Sequence, residues 1–311
     1  MSGQPAVVCI GVATIDAVVE VDRLPDVDDR VAGLDGRLAG GGVAATAAVT
    51  LARLGVPVAF VGRVADDAAG RWIRDDLAAE GVDVDGLRLA EGRSPVSAVL
   101  IQRGSPGRAL APFPGSAGPI ELGDADLDRC RGAEWIHLDH AGLVARPLLT
   151  TIVRTPISFD GGVDVPDLAL AGVDLYAPTE AALLRRYPGR SVDEAMAAAL
   201  DEGPRLVVVT RGASGSVALE RDQATRSSST SEAPAFTVDT PGGSTLGAGD
   251  VFHGALLAAL VGGASVPEAL VRANACAALA CRDLDGRGGI PTRAEVEAFL
   301  ARAGAVSRAG G

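Results

Sequence analysis

Short, nearly unbroken apolar runs recur along the chain, each followed by a longer segment of helical period. Residues 6–12 (AVVCIGV), 58–64 (VAFVGRV), 96–102 (VSAVLIQ), 134–139 (EWIHLD), 156–160 (PISFD), 173–177 (VDLYA) and 205–210 (RLVVVT) have strand length. Helices are predicted after Gly40-Gly41-Gly42 up to a stop at Gly55, at 67–80 closed by Gly81, and near 145–153, 179–186, 191–202, 266–281 and 293–302. This alternation predicts an α/β fold on a parallel, doubly wound sheet. Two stretches break the pattern: residues 14–38 alternate and carry acids and Arg, and 96–111 lead into a Gly/Pro-rich segment. They are expected to form a small half-exposed β subdomain beside the main sheet. Residues 221–234 (RDQATRSSSTSEAP) read as a loop or hairpin end. Residues 1–303 are expected to make one domain and 304–311 a frayed tail.

Composition narrows the chemistry. Aromatic residues make up only 3% of the 311 positions, so Ala, Val, Leu and Gly must fill the core. The net charge is −12 and no basic block appears, which argues against a nucleic-acid partner. All 28 cationic side chains are Arg, and Lys is absent. That excludes a Walker-A lysine, a Schiff-base lysine and a protein-kinase strand lysine. A phosphate-handling site would have to use Arg, metal and backbone N–H groups. The four cysteines (Cys9, Cys130, Cys276, Cys281) form no CxxC pair and read as free thiols. The N-terminal stretch lacks a basic leader and Asp16 interrupts its apolar run, so neither a signal peptide nor a membrane span is predicted, and a cytoplasmic protein is expected.

The sharpest local signal is Leu246-Gly247-Ala248-Gly249-Asp250, where small residues turn a loop into a helix. First-turn N–H groups have no intrahelical acceptors, and the helix dipole makes that end positive, so the segment is a cradle for a phosphoryl group. Asp250 reads equally as a helix cap or as a base held beside that group. The spacing is not the dinucleotide fingerprint, which would require Gly at Phe252. His137 and His140 bracket Asp139 at a strand end, and His253 lies one turn into the glycine-led helix. His137 and His140 are substrate-pocket candidates, and His253 reads as a packed residue or as one that touches nucleotide; a metal cluster lacks an obvious third ligand.

Thr245–Gly254 (TLGAGDVFHG) resembles the C-terminal signature of the PfkB-type carbohydrate kinases, the ribokinase-like family. GGGVAATAAVTLARLG with VAFVGRVADDAAG is similar to the family's N-terminal signature. GVATIDAVVEVDRLP resembles its first strand and lid, VTRGASGS its nucleotide-side turn, and DGRGGIP its closing segment. The N-terminal stretch looks most like sulfofructose and ketohexose kinase-like members. The resemblance covers nearly the whole chain. It implies a ribokinase-like three-layer αβα sandwich with a small β lid at about 14–38 and 96–111. It also implies ATP-dependent in-line phosphorylation of a sugar hydroxyl with Mg²⁺. In that pattern Asp250 is the catalytic base, and Gly247, Ala248 and Gly249 form the anion hole. Asp16, Gly41, Gly42 and Thr46 take the substrate, with Thr46 standing where many relatives carry Asn. Thr210, Gly212, Gly215 and Asn274 lie on the nucleotide side, beside Arg211, and Glu180 organises Mg²⁺ through water. Relatives dimerise through their lids, so a homodimer is expected.

The chain departs from the pattern in two places. Ala177 stands where the Asn of Asn-x-x-Glu is expected. Asp239-Thr240 is separated from Gly-Ala-Gly-Asp by Pro-Gly-Gly-Ser-Thr, which leaves a K⁺ site open: the loop carries an insertion, or Ser244 replaces the usual Asp. Two other readings stand beside the sugar kinase. One is a nucleoside kinase of the same fold, for which Phe113 is the aromatic candidate. The other is a non-catalytic sugar- or nucleotide-binding protein. Arg30, Arg37, Arg93, Arg103 and Arg108 in or near the lid are candidates for an anionic substrate group.

Overall fold

The computed structural model describes residues 4–105, 108–222, 224–225, 227–239 and 242–309, with side chains to 304. In chain order the elements begin with β1 (Val7–Ile10), β2 (Thr14–Val21), β3 (Gly33–Gly41), α1 (Val43–Arg53), β4 (Val58–Ala65), α2 (Ala68–Ala79) and β5 (Asp83–Ala90). They continue with β6 (Val96–Gln102), β7 (Arg108–Phe113), α3 (Asp124–Gly132), β8 (Trp135–Leu138), α4 (Arg146–Ile152), β9 (Ile157–Asp160) and β10 (Leu175–Ala177). Then come α5 (Glu180–Arg186), α6 (Val192–Asp201), β11 (Leu206–Thr210), β12 (Ser216–Arg221), β13 (Ser228–Ala233), α7 (Ala248–Val261), α8 (Val266–Ala280) and α9 (Arg293–Ala309).

The main sheet runs β13-β12-β11-β10-β9-β8-β1-β4-β5. Seven of its strands, β11 through β5, pair in parallel, and β12 and β13 add an antiparallel hairpin at one edge. The strands near the middle are buried on both faces, which is why β1 reads as a continuous apolar run, and β8 and β9 as runs broken only by His137, Ser158 and the closing Asp160. Val7, Phe60, Trp135 and Val208 face a layer containing α1, α7 and α8. Val8, Ile136, Phe159 and Val207 face the opposite layer, with residues of α3, α4 and α6. Small residues let the first layer close tightly. A Cβ on Gly254 of α7 would come within 2.6 Å of the Ala47 carbonyl of α1, so the two helices touch at backbone distance. This contact is how a core poor in aromatics reaches close packing.

A second sheet, β3-β2-β6-β7, is the lid. Its inner face carries Asp16, Val18, Glu20 and Ile101, and Val18, Val99 and Ile101 pack on Leu284 and Leu246. Its outer face aligns Leu38, Ala17, Ala98 and Ala111 across four strands, all exposed.

Several elements differ from the sequence expectation. The Ser/Thr-rich stretch is a hairpin end, as one of its two readings had it, but it extends into a full strand, β13, on the sheet edge. β5 and α3 were not anticipated: β5 alternates Asp with apolar residues, and α3 buries only Asp126, Leu127 and Cys130. The last helix runs to Ala309, past the point where fraying was predicted.

Candidate functional site

The chain leaves β1 between β8 on one side and β4 on the other, so their carboxyl ends open the ligand crevice expected of an open parallel sheet. Asp139, just past β8, organises this place. Its carboxylate is fully buried and accepts from Val12 N (2.7 Å), Ala44 N (3.2 Å), Ala141 N (2.9 Å) and Gly142 N (3.0 Å). One side chain thereby ties the ends of β1 and β8 to the start of α1. His140 beside it is exposed.

Asp16 points inward from the lid, 8% exposed, and accepts from the Thr14 hydroxyl at 2.7 Å. Burial pushes its carboxyl above the usual range, against the hydrogen bonds of Thr14 and Ser97 and the charge of Arg287. Gly41 is forced by this carboxylate: a Cβ there would sit 2.2 Å from Asp16 Oδ2. Asp16, Gly41 and Gly42 are therefore brought together.

Thr46 stands beside the same group. Its hydroxyl is buried and accepts from Arg287 Nε at 3.3 Å, which leaves its own O–H to donate. Arg287 also donates to Gly41 O and to Asp76 Oδ2, both at 2.7 Å, and is 5% exposed. It is the cation beside Asp16, Gly41 and Thr46, set in the DGRGGIP segment.

Gly247 caps α7 in the left-handed region (φ 71°), where a Cβ would press within 2.6 Å of Gly286 O. That conformation turns the next amides outward. Ala248 N still reaches Thr245 O, but among the described residues the amides of Gly249 and Asp250 find no backbone acceptor. A Cβ on Gly249 would meet nothing within 4 Å, so the space above these amides is open. Asp250 stands in the first turn of α7 at the edge of this space. Burial raises its carboxyl well above the ordinary value. The charges of Asp160, Asp139 and Asp16 add to that rise, and Arg287 opposes it. The result is an anion cradle with a carboxylate of raised proton affinity beside it.

Farther along the sheet, Thr210 ends β11 and the turn Gly212–Ser214 returns through Gly215, with Arg211 N donating to Gly215 O at 2.7 Å. Arg211 pairs with Glu232 at 3.4 Å. The amide nitrogen of Asn274 is committed to Ser216 Oγ, Ala233 O and Pro234 O (3.0–3.1 Å), tying α8 to β12 and β13. Only its oxygen is left for a ligand. Glu180 begins α5 half-buried, and among the described residues its carboxylate has no hydrogen-bond or ion-pair partner. Hard oxygen donors of this kind suit Mg²⁺ held through water. Ser244 donates to Leu284 O (2.7 Å) and accepts from Leu246 N, so it fixes the loop before α7. Thr240 and Pro241, on which the cation-site question also turned, lie outside the described residues.

Sequence reasoning missed Asp139 and Arg287 as organisers, and Asp160, which ends β9 against His253. Asp139 and Asp160 had one detectable signal, an acid closing an apolar strand run. Arg287 had none beyond its Gly-rich surroundings.

The family model described as "pfkB family carbohydrate kinase" matches residues 4–293. An ATP-dependent ribose-1-phosphate kinase of Halopiger xanaduensis is 33% identical over 304 residues, covering 92% of this chain and 94% of the relative. A fructokinase of Klebsiella pneumoniae is 30% identical over 314 residues, covering 92% and 97%. The structure of Arabidopsis thaliana ribokinase complexed with ribose and ATP superposes with a TM-score of 0.82 at 27% identity, covering 96% of this chain and 99% of that one.

Proposed function

Because this chain belongs to the pfkB family of carbohydrate kinases, we propose that it transfers the γ-phosphoryl group of ATP in line to a hydroxyl of a sugar or sugar derivative, with Asp250 as base. The observation that carries this reading is Asp250 beside two unpartnered amides under open space, with Asp16 and Gly41 on the substrate side. Asp16 would accept hydrogen bonds from a polyol. Asp250 would take the proton of the attacking hydroxyl while the Gly249 and Asp250 amides stabilise the charge on the moving phosphoryl group. Mg²⁺, when bound, would neutralise charge on the phosphate oxygens, with Glu180 holding its waters. Thr210, Gly212 and Gly215 would line the nucleotide.

The test is ADP release with Mg·ATP over a panel of pentoses, ketoses, sugar phosphates, sugar acids and nucleosides, for the wild type and Gly249→Ala. Gly249 has an ordinary backbone conformation and open space for a methyl group. The variant should unfold like wild type and lose turnover by about 10²-fold or more, because its methyl occupies the anion space. Full activity in Gly249→Ala would remove the cradle from the mechanism. Turnover with nucleosides alone would favour a nucleoside kinase. Against that reading, Arg93 stacks over Phe113 at 5.0 Å, so the proposed base-stacking ring already has one face covered.

The lid's outer face supports a homodimer. Leu38 is 67% exposed and Val96 39%, within a strip containing Ala17, Ala98 and Ala111, and a second copy would cover them. Leu38→Asp should convert the dimer to monomer in sedimentation; a wild type that sediments as a monomer, or a variant that stays dimeric, counts against this interface. No helix of the described residues is long and apolar enough to cross a membrane. We assign the protein to the cytoplasm, where ATP is available and free thiols such as Cys9 and Cys130 persist.

A further inference from the structure

Beneath Asp250 lies a polar island in an otherwise apolar layer. His253 follows Asp250 by three positions on α7 and so lies on the same helix face, one turn deeper. Its Nδ1 donates to Asp160 Oδ2, at the end of β9. The other Asp160 oxygen accepts from Gly162 N at 2.8 Å. His137 of β8 completes the island, its Nδ1 against Ser158 Oγ at 3.3 Å and its ring edge-on to His253 with centroids 6.0 Å apart. Asp160 is 4% exposed, His253 5% and His137 0%.

We propose that Asp160 and His253 form a buried carboxylate–imidazole pair that sets how readily Asp250 takes up a proton. They are positioning residues: neither stands at the cradle, and both act through Asp250. The proposal rests on the reading of Asp250 as the base. Two geometric facts carry it. The pair joins α7 through His253, one turn below Asp250, and its two side chains are almost wholly buried, so little water lies around them to screen its charge. A buried ion pair is seldom favoured for stability alone, since apolar residues of like volume hold a core at least as well. The ligand atoms of His137, Asp160 and His253 lie within 4.8 Å of one another, and an ion bound among them would have to replace the direct bond between His253 and Asp160.

The charges facing the group are few. Asp250 meets Asp160, Asp139 behind β8, Asp16 from the lid and Arg287 from its loop. Asp160 meets His253 and His137. Burial pushes Asp160 up, but the charge and hydrogen bond of His253 outweigh it and hold the carboxylate ionised. Burial pushes His137 down to about 4, so it is neutral at pH 7. Asp160 is thus foremost among the charges that act on Asp250, and His253 is its hydrogen-bond partner.

The test is a ¹³C-carboxyl NMR titration of aspartate-labelled full-length protein, with the Asp250 resonance assigned by its loss in Asp250→Asn. Asp160→Asn removes the repelling charge and should lower the Asp250 midpoint by about one pH unit. His253→Asn keeps a donor to Asp160 at the Nδ1 position and should leave the midpoint close to that of wild type, whereas His253→Leu withdraws that donor and should displace it. A shift that follows the hydrogen bond to Asp160 rather than the bulk of the side chain is not expected of a packing role, and Asp160→Asn alone still tests the idea if the His253 variants do not fold. An Asp160→Asn midpoint coincident with wild type, equal shifts from both His253 variants, or a stoichiometric metal ion in the purified wild type would overturn the proposal. Retained turnover in Asp250→Asn would instead defeat the base reading and leave the titration result standing.

Discussion

Asp250→Asn should lower kcat by about 10²–10⁴-fold, the usual contribution of a general base, and at the same time make the protein more stable at neutral pH. The two effects have one cause. The folded protein raises the Asp250 carboxyl above its ordinary value, through burial and then the charges of Asp160, Asp139 and Asp16. In the folded state this group therefore holds its proton to higher pH than in the unfolded chain, whose value is about 3.9. Its contribution to stability is greatest at low pH and falls as pH rises from the unfolded value through the folded one. The amide cannot ionise and is spared that loss. Steady-state ADP release and thermal melts at pH 5 and pH 8 check both halves. The melting temperature of the variant should exceed that of wild type by more at pH 8 than at pH 5. Equal melts at both pH values would mean that Asp250 is not strained by its surroundings.

Replacing Arg287 should have the largest effect on stability. Its guanidinium is 6% exposed and sits on Asp76, Gly41 O and Thr46 Oγ1. Breaking a buried pair from one side typically costs about 3–5 kcal/mol. Asp76 is 27% exposed, so water softens the loss and Arg287→Met should fall near about 3 kcal/mol. Arg287→Ala should fall further, since Met keeps the packing of the stem. Adding Asp76→Asn to Arg287→Met should recover part of the loss, because the stranded carboxylate is then gone. Urea unfolding of the three variants measures this. An Arg287→Met protein as stable as wild type would show that the carboxylates do not need the cation. The crevice around Asp16 and Gly41, proposed to take the sugar, should also loosen, seen as a rise in KM, because Gly41 is held by the same side chain.

What the sequence disclosed follows from where the information lies. Strands buried on both faces, such as Val7–Ile10 and Leu206–Thr210, are legible because both neighbouring layers demand apolar residues. β13 as a full strand was hidden because it is an edge strand exposed along most of its length, where Ser and Thr suffice. The anion cradle was legible because its parts are contiguous: Gly247 supplies the turn, Gly249 the open space and Asp250 the carboxylate. Thr46 was assigned to the substrate from its place in the pattern, and its hydroxyl accepts from a guanidinium that approaches from 241 residues away. Asn274 looked like a ligand because it is alone on an apolar helix, and its amide is spent on two strands 40–58 residues distant. Asp139 and Asp160 likewise take their meaning from partners that are remote in the chain. Local pattern finds chemistry held in one segment and misses chemistry assembled from several.

The segment at 283–287 also bears on how the protein is made. Arg287 grips Gly41 O across 246 residues, Gly286 lies against Gly247, and Asp283 receives Arg37 of the lid at 2.7 Å. Both halves of the crevice and the lid thus wait on one late stretch of chain. Every strand of both sheets ends by Ala233, so the sheets precede this stretch in the chain while the closed crevice does not. Contacts this remote in sequence raise the contact order of the fold. Until this stretch is in place Asp16 and Asp76 lack the cation they share, and the nascent kinase can hold neither substrate nor lid in place.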